Sequence, residues 1–386
     1  MIAAVLSALI AAASAGWSVA LPLDSAAISG VTVDDTIVVG GGGPTVAFDE
    51  RDGRERWRAS EALALLPIGT DAALGQPGGR VALVAARSGR VRWSVHVCPG
   101  KSNVTALALS GGGVIAGCAG GSVARIDRYD GRVTAESNAM HVDQIDAISP
   151  AGGCHLNLQA HQSGAILSEQ DAVVDCRSLR AIMPQRQDVW FLGVAERRAV
   201  MADQCCGLGG AMEQPARIFT IDGATGAMSR ERAFVPGEPF LAGSRVCVGQ
   251  HSLVRCRALG ASGEGAPAVT GLSDFPTLVE AGRIGISRIT SGGATSELVD
   301  DTLGPFRPIW SGPATAPSFG YPDRSGSVPV RTALGSVVVS RDGRVADVPV
   351  GSLLVASNER FVFLRVTTNR LAGNRYIEEL RAFPWH

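Results

Sequence analysis

Short apolar runs separated by glycine-rich turns recur along the whole chain. One stretch shows the pattern clearly: successive runs begin at Val104, Val114 and Ser122, and a more polar run follows from Arg132. Glycine-rich turns separate the first three runs, and Asp-Gly separates the last two. Asp-Gly is a strong hairpin signal because glycine accepts a positive φ without steric penalty. The pattern therefore predicts four-stranded antiparallel units rather than helices.

A motif repeats within this pattern: a short apolar strand, an acidic or small residue, a Gly-Arg turn, and a polar strand that often ends in tryptophan. The clearest copies span 45–57, 81–93 and 123–134, and further copies lie at 173–179, 218–228, 256–263 and 337–345. The turn glycines Gly53, Gly89 and Gly131 are 36 and 42 residues apart. A period of about 40–45 residues suits a four-stranded propeller blade. The sequence predicts an all-β fold, a β-propeller of eight four-stranded blades, with seven as the alternative.

The two ends of the chain look complementary. Residues 17–21 read as an outer strand that has no preceding partners, whereas 361–366 and 375–382 read as inner strands that have no outer partner. Pairing the N-terminal with the C-terminal strands would close the propeller and remove exposed strand edges. A pair of β-sandwiches or a β-solenoid, the alternative architectures, predicts no such complementarity.

The composition restricts the fold class and the kinds of ligand but does not indicate an activity. The chain has 386 residues, of which 46% are apolar, 18% are charged and 48 are glycine. Its net charge is −1, so no overall basic field attracts nucleic acid or anionic lipid. Lys101 is the only lysine among many arginines, which we interpret as composition bias. These values favour a glycine-rich β protein that does not bind nucleic acid.

The N-terminal segment resembles a secretory signal. Residues 1–15 are uncharged and apolar and end in Ala13-Ser14-Ala15, an A-x-A cleavage pattern. The apolar run of about twelve residues is too short for a membrane span, which needs about 20. No Lys or Arg precedes it, so a terminal helix or a misassigned start is the alternative. We expect a signal peptide at 1–15 and one propeller domain at 17–386, without a membrane span.

The cysteine pattern agrees with export to an oxidising compartment. The count is eight, and an even number permits full pairing. A turn at His251-Ser252 would place Cys247 opposite Cys256, and a turn at Ser163-Gly164 would do the same for Cys154 and Cys176. Cys98 with Cys118 is a third candidate pair. The alternative is that these cysteines pack as small buried apolar residues.

The repeat resembles that of the PQQ-like β-propellers, a superfamily that includes the quinoprotein alcohol dehydrogenases and BamB-like proteins. The resemblance rests on Asp49–Trp57 and its copies; it covers most of 17–386 and is weak between about 265 and 330. In that family, the tryptophan and the glycine of each unit dock neighbouring blades. Trp57 and Trp93 match this pattern, whereas Ala135, Ser229 and Ala346 stand near positions where further tryptophans are expected.

The resemblance allows an enzyme or a scaffold. Some quinoprotein dehydrogenases hold a vicinal disulfide against the PQQ ring, and Cys205 and Cys206 are adjacent here. The chain is nevertheless short for such an enzyme, and no calcium site or catalytic base can be assigned. BamB-like proteins are non-enzymatic scaffolds whose blade loops bind other envelope proteins. No cysteine follows the apolar N-terminal segment, so the lipid attachment site of such lipoproteins is missing.

Other candidate features are weaker. The proline-rich tract from Gly304 to Pro329 holds four aromatic residues that suggest a binding loop or, alternatively, a packed connector. These are Phe306, Trp310, Phe319 and Tyr321. If they line one face, a sensor or carbohydrate-binding propeller is a third functional class.

Two possible chemical sites are set aside. His141, Asp143 and Asp146 could converge on a metal, but a solvated strand face explains them better. Gly100-Lys101-Ser102 is not a phosphate-binding loop, because the glycine required five residues earlier is Val95. We therefore expect no catalytic residues, no metal and no cofactor. The expected protein is an exported, periplasmic or extracellular monomer that binds a protein partner in the cell envelope.

Overall fold

The computed structural model describes most of the chain as antiparallel β-strands. The described residues are 16–22, 28–161, 169–187, 189–203, 217–231, 237–250, 253–261, 267–270, 277–279, 283–290, 293–300, 307–313, 318–319, 323–332, 335–372 and 375–386. Within these ranges no helix is long and apolar enough to cross a membrane. The all-β class predicted from the repeat is confirmed.

The strands of these ranges form nine four-stranded sheets, which we number in chain order. Sheet 1 comprises β2 (Ser29–Val33), β3 (Thr36–Gly40), β4 (Thr45–Asp49) and β5 (Glu55–Ala59). Sheet 2 comprises β6 (Ala64–Ile68), β7 (Asp71–Gln76), β8 (Arg80–Ala85) and β9 (Val91–His96). Sheet 3 comprises β10 (Val104–Ser110), β11 (Gly113–Cys118), β12 (Ser122–Asp127) and β13 (Val133–Asn138). Sheet 4 comprises β14 (Gln144–Pro150), β15 (His155–His161), β16 (Glu169–Asp175) and β17 (Ala181–Gln187). Sheet 5 comprises β18 (Val189–Ala195), β19 (Arg198–Asp203), β20 (Arg217–Asp222) and β21 (Met228–Arg230). Sheet 6 comprises β22 (Glu238–Ala242), β23 (Arg245–Gln250), β24 (Leu253–Ala258) and β25 (Pro267–Thr270). Sheets 7 and 8 comprise β26 (Thr277–Val279), β27 (Arg283–Thr290), β28 (Gly293–Asp300) and β29 (Arg307–Pro313); and β30 (Ser318–Phe319), β31 (Val328–Thr332), β32 (Gly335–Val339) and β33 (Val345–Val348). Sheet 9 combines β34 (Leu353–Ser357), β35 (Phe361–Ala372) and β36 (Arg375–Pro384) with β1 (Trp17–Ala20).

The nine sheets described exceed the eight expected from the sequence by one. The first strands of sheets 1 and 9 begin at Ser29 and Leu353, so eight intervals cover 324 residues, or about 40 each. That spacing lies at the short end of the assumed period. Sheet 7 lies wholly within the stretch where the repeat motif is weak, because the sequence between its third and fourth strands contains no Gly-Arg pair.

The termini meet in sheet 9, where the pairing expected from the sequence is present. β1 lies antiparallel to β36, with Trp17 opposite Ala382 and Ala20 opposite Glu379. The Ser18 hydroxyl donates to Glu379 Oε2 at 2.8 Å. The N-terminal strand therefore supplies the outer strand that the C-terminal hairpin lacks.

Neighbouring sheets contact each other through their first strands and through apolar clusters. β2 contacts β6, β6 contacts β10, β10 contacts β14, and β2 also contacts β34. The clusters between sheets consist mainly of fully buried Val, Ile, Leu and Ala. Because each interior strand is apolar on both faces, its residues read as continuous apolar runs rather than as an alternating pattern. The stacking gives a frame in which side chains from adjacent sheets hold each other.

Three disulfides lie in this frame, and they join the three pairs indicated by the sequence. Cys98 bonds to Cys118, Cys154 to Cys176, and Cys247 to Cys256. The Cys154–Cys176 bond joins two turns of sheet 4 and lies against Gly111 of sheet 3, whose Cβ position would be 2.8 Å from Cys176 Sγ. Cys205 and Cys206 lie outside the described residues.

Removing the Cys154–Cys176 bond should measurably destabilise the protein. The bond closes a loop of 22 residues, and constraint of the unfolded chain over such a loop contributes about 3 kcal/mol. The double variant Cys154→Ser with Cys176→Ser should lose roughly that amount in denaturant unfolding. Cys247→Ser with Cys256→Ser is the matched control, because its loop of 9 residues predicts a smaller loss. An equal or larger loss in the control would contradict this explanation.

Candidate functional site

Two sets of turns lie at the same end of each of sheets 1 to 5. Because the strands alternate in direction, the turn between the first and second strands and the turn between the third and fourth strands share one end. We call this end the turn face. Its third-to-fourth-strand turns in sheets 1 to 4 span 50–54, 86–90, 128–132 and 176–180. The opposite face carries the turns between second and third strands.

Tryptophans tie the turn of one sheet to the turn of the next. The indole N–H groups of Trp17, Trp57 and Trp93 donate to the carbonyls of Glu50, Ala86 and Arg128 at 2.7, 2.5 and 2.9 Å. Each carbonyl lies three residues before the turn glycine against which the same indole packs. At Gly89, for example, a Cβ would lie 2.7 Å from Trp57 Cγ. These contacts place the turns of sheets 1 to 3 side by side.

The docking contact between sheets 3 and 4 pairs a small residue in the position of the tryptophan with a large residue in the position of the glycine. Ala135 stands four residues after Gly131, where a tryptophan is found in the preceding sheets. Its partner turn in sheet 4 carries Leu179 at the glycine position, fully buried at a φ of 56°. Both residues belong to one apolar cluster. A small residue on one sheet is therefore compensated by a large one on the next, and the turns remain adjacent.

A partly buried ion-pair cluster holds the turn face of sheet 1. Arg56 donates to Asp35 Oδ1 at 2.7 Å and to Asp49 Oδ2 at 2.6 Å, and it also donates to Thr36 Oγ1 at 2.7 Å. The Arg56 side chain is only 9% exposed. Its hydrogen bond lowers the pKa of Asp35 to about 2 and lowers the pKa of Asp49 as well. The cluster is structural, because its three charged groups bind each other.

The Arg56 cluster predicts loss of stability in acid. Asp35 has a folded-state pKa below its unfolded value, so its contribution is complete above about pH 4 and disappears as pH falls towards 2. In Arg56→Gln the carboxyl pKa values should rise towards normal, and the variant should be less stable than the parent at pH 7. The two proteins should differ much less at pH 2, measured by urea unfolding. Arg58→Gln is the control, because Arg58 forms an exposed pair with Glu55. If the difference in unfolding free energy between the parent and Arg56→Gln were the same at pH 7 and pH 2, the Arg56 ion pairs would not be its cause.

A second polar cluster joins sheets 4 and 5. Asn157 Nδ2 donates to Asp171 Oδ1 at 2.5 Å, and the backbone N–H of Phe191 in β18 donates to Asp171 Oδ2 at 3.2 Å. Asn157 and Asp171 are 3% and 1% exposed. Neither cluster was foreseen from the sequence. The weak signal available was a polar residue at a strand position that the repeat otherwise fills with an apolar one.

The proline-rich tract is part of sheets 7 and 8 where it is described. Trp310 lies in β29 and Phe319 in β30, and both pack against a cluster that contains Val328, Val330 and Val339. Phe306 and Tyr321 lie outside the described residues. The end of the tract is anchored as well, because the Ser357 hydroxyl of sheet 9 donates to Asp323 Oδ2 at 2.5 Å.

The histidine and the two aspartates considered for metal binding have other hydrogen-bond partners. The backbone N–H of His141 donates to Gln185 Oε1 at 2.6 Å, and Asp146 accepts from Gln144 at 2.6 Å. The backbone carbonyl of Asp143 accepts from Gly120 at 2.7 Å. Among the residues the structure describes, no three His, Cys, Asp or Glu side chains group together as metal ligands would.

Comparison with known families relates the first part of the chain to one family. Residues 4–151 match the family model described as outer membrane protein assembly factor BamB. No curated protein matches the chain. The matched model and the repeated motifs support a PQQ-like propeller repeat protein.

Solved structures resemble the chain over most of its length but at low identity. BamB from Moraxella catarrhalis is 12% identical, with a TM-score of 0.47 over 95% of this chain and 96% of that one. A quinohemoprotein alcohol dehydrogenase from Comamonas testosteroni is 12% identical, with a TM-score of 0.48 over 96% of this chain and 76% of that one. The computationally designed Ika8 protein is 16% identical, with a TM-score of 0.48 over 86% and 98%. We draw no functional conclusion from likenesses of this degree.

Proposed function

We propose that the protein is an exported, non-enzymatic scaffold that binds a protein partner in the cell envelope through its blade loops. The observation that carries this proposal is the match of residues 4–151 to the model of an outer membrane protein assembly factor. The stacked sheets support it, because they hold many turns in fixed relative positions. Three disulfides also support export, since such bonds persist mainly outside the cytosol.

Mass spectrometry of the protein recovered after expression tests export and the absence of a cofactor together. The expected intact mass is that of a chain cleaved after Ala15, less the hydrogens lost in disulfide formation, with no adduct under native conditions. Reductant should restore those hydrogens. A retained quinone- or metal-sized adduct would contradict the non-enzymatic scaffold, and an unprocessed, fully reduced chain would contradict export.

Site-specific photo-cross-linking in the envelope fraction tests the scaffold. A photoreactive residue replaces Arg87 on the turn face or Lys101 on the opposite face; both positions are exposed. We expect one face to yield a discrete protein adduct and the other to serve as its control. The adduct should disappear when unlabelled protein competes. Absence of an adduct from both faces, with the protein correctly folded, would overturn the proposed function.

A further inference from the structure

In four consecutive sheets, the last residue of the turn between the third and fourth strands is an arginine. Arg54, Arg90, Arg132 and Arg180 each follow the turn glycine, or Leu179 in sheet 4. Their carbonyls accept a hydrogen bond from the residue that opens the turn, at 2.8 to 2.9 Å. All four side chains are exposed. The Tyr129 backbone N–H and the charge of Arg132 both help to lower the pKa of Asp127, which opens the same turn. We call these four residues the arginine rim.

The fold does not require arginine at this position. In sheet 5 the equivalent residue is Ala227, and its carbonyl accepts the same bond, from Asp222, at 2.9 Å. The turn therefore closes equally well with a methyl side chain. The backbone hydrogen bond of the turn therefore does not need the guanidinium groups of the arginine rim. The docking contacts described above hold the four turns next to each other.

Further arginines strengthen the positive charge of this face. Arg51, Arg87 and Arg177, two residues before the glycine position of their turns, are also exposed. The exposed acids of the same turns are Asp52 and Asp130, and the side chain of each accepts from a backbone N–H of its own turn. The turn between the first and second strands of sheet 1 adds one exposed acid to this face, Asp34. The excess is local, because the whole chain carries a net charge of −1.

We propose that the arginine rim binds the anionic phospholipid headgroups of a membrane surface. A guanidinium donates two parallel hydrogen bonds to a phosphate. Equivalent turns on adjacent sheets present their guanidinium groups on one face, and a surface with phosphates at every point can engage all of them without a matching pattern. A protein partner would need acidic groups at the same spacing.

An exposed aromatic residue on this face favours lipid over an acidic protein. Tyr129 is 76% exposed in the turn of sheet 3. The Arg128 guanidinium lies over its ring, 4.5 Å from the centroid. Tyrosine is enriched where proteins meet the membrane–water interface, because its ring is apolar and its hydroxyl is polar. This lipid contact is separate from the proposed protein partner, so neither proposal depends on the other.

Vesicle co-sedimentation of the purified full chain tests the arginine rim. The vesicles contain phosphatidylcholine alone or with phosphatidylglycerol. Two quadruple variants are compared with the parent, one with R54Q, R90Q, R132Q and R180Q, and a matched control with R80Q, R186Q, R217Q and R370Q. The control arginines are exposed and lie towards the opposite face. Melting temperatures verify that both variants fold, as Ala227 in sheet 5 leads us to expect.

The parent should bind only the phosphatidylglycerol vesicles, and salt should weaken that binding. The rim variant should bind at least about tenfold more weakly, whereas the control should stay within about twofold of the parent. Equal losses in both variants, or no preference for anionic vesicles, would overturn the proposal. If the parent ignores these vesicles but binds polyglutamate through the rim, an acidic protein is the correct ligand and the lipid proposal is wrong.

Discussion

Replacing Gly121 with alanine should destabilise the protein by about 3 kcal/mol or more. Gly121 has a φ of 80°, which costs an L-residue about 1 kcal/mol or slightly more. The larger part of the loss comes from space: the new Cβ would collide with the backbone carbonyl of Met140, whose carbon would be 2.8 Å away. Backbone cannot rotate away as a side chain can, so the turn between β11 and β12 must shift. Urea unfolding measures the loss.

The adjacent residue provides a matched control for the glycine prediction. Gly120 has a φ of 87°, and its Cβ position has no atom within 4 Å. Gly120→Ala therefore carries the conformational cost without the collision, and it should lose only about 1 kcal/mol. The difference between the two variants isolates the contact with Met140. Equal losses would show that positive φ alone explains both glycines.

The sequence foretold the sheets best where the turn chemistry repeats. Sheets 1 to 3 carry a Gly-Arg turn, and their strands fall within the predicted units. Sheet 7 has no Gly-Arg pair between its third and fourth strands, so the repeat motif did not mark it in the sequence. The repeat period alone did not determine the number of sheets, because periods of about 40 and about 45 residues divide the same chain length into different numbers of sheets.

Contacts between sheets were harder to foresee because they depend on pairs of residues far apart in the chain. Ala135 looks like a missing tryptophan when it is considered alone. The packing of Ala135 is explained only together with Leu179, which occupies the space that a glycine leaves open in other turns. The Arg56 cluster is similar, since Asp35 and Asp49 lie on different turns of sheet 1 and meet only after folding. Two of the cysteine pairs were easier, because Cys247 and Cys256 oppose each other in one local hairpin. Cys154 and Cys176 flank the two strands of another.

Removing the indole of Trp17 should cost about 3–5 kcal/mol and loosen the N-terminal strand. Trp17 is 9% exposed, packs against Gly53 of sheet 1 and Phe363 of sheet 9, and donates to the Glu50 carbonyl at 2.7 Å. β1 has only four residues, so this side chain contributes much of what holds it. Trp17→Phe should lose less, because a phenyl ring keeps part of the packing and forfeits the hydrogen bond, worth about 1 kcal/mol.

Trp93→Ala is the matched control for Trp17, because Trp93 makes the same type of indole bond and glycine contact from β9. Both alanine variants should be destabilised in urea unfolding. Only Trp17→Ala should also speed hydrogen exchange at Val19 and Leu21, whose amides face β36, since β9 is covalently continuous with its sheet whereas β1 reaches β36 across the whole chain. Unchanged exchange at these amides would mean that the strand ladder, rather than the indole, holds the terminus. The stability of the terminal pairing would then rest on backbone hydrogen bonds and on the contact of Ser18 with Glu379.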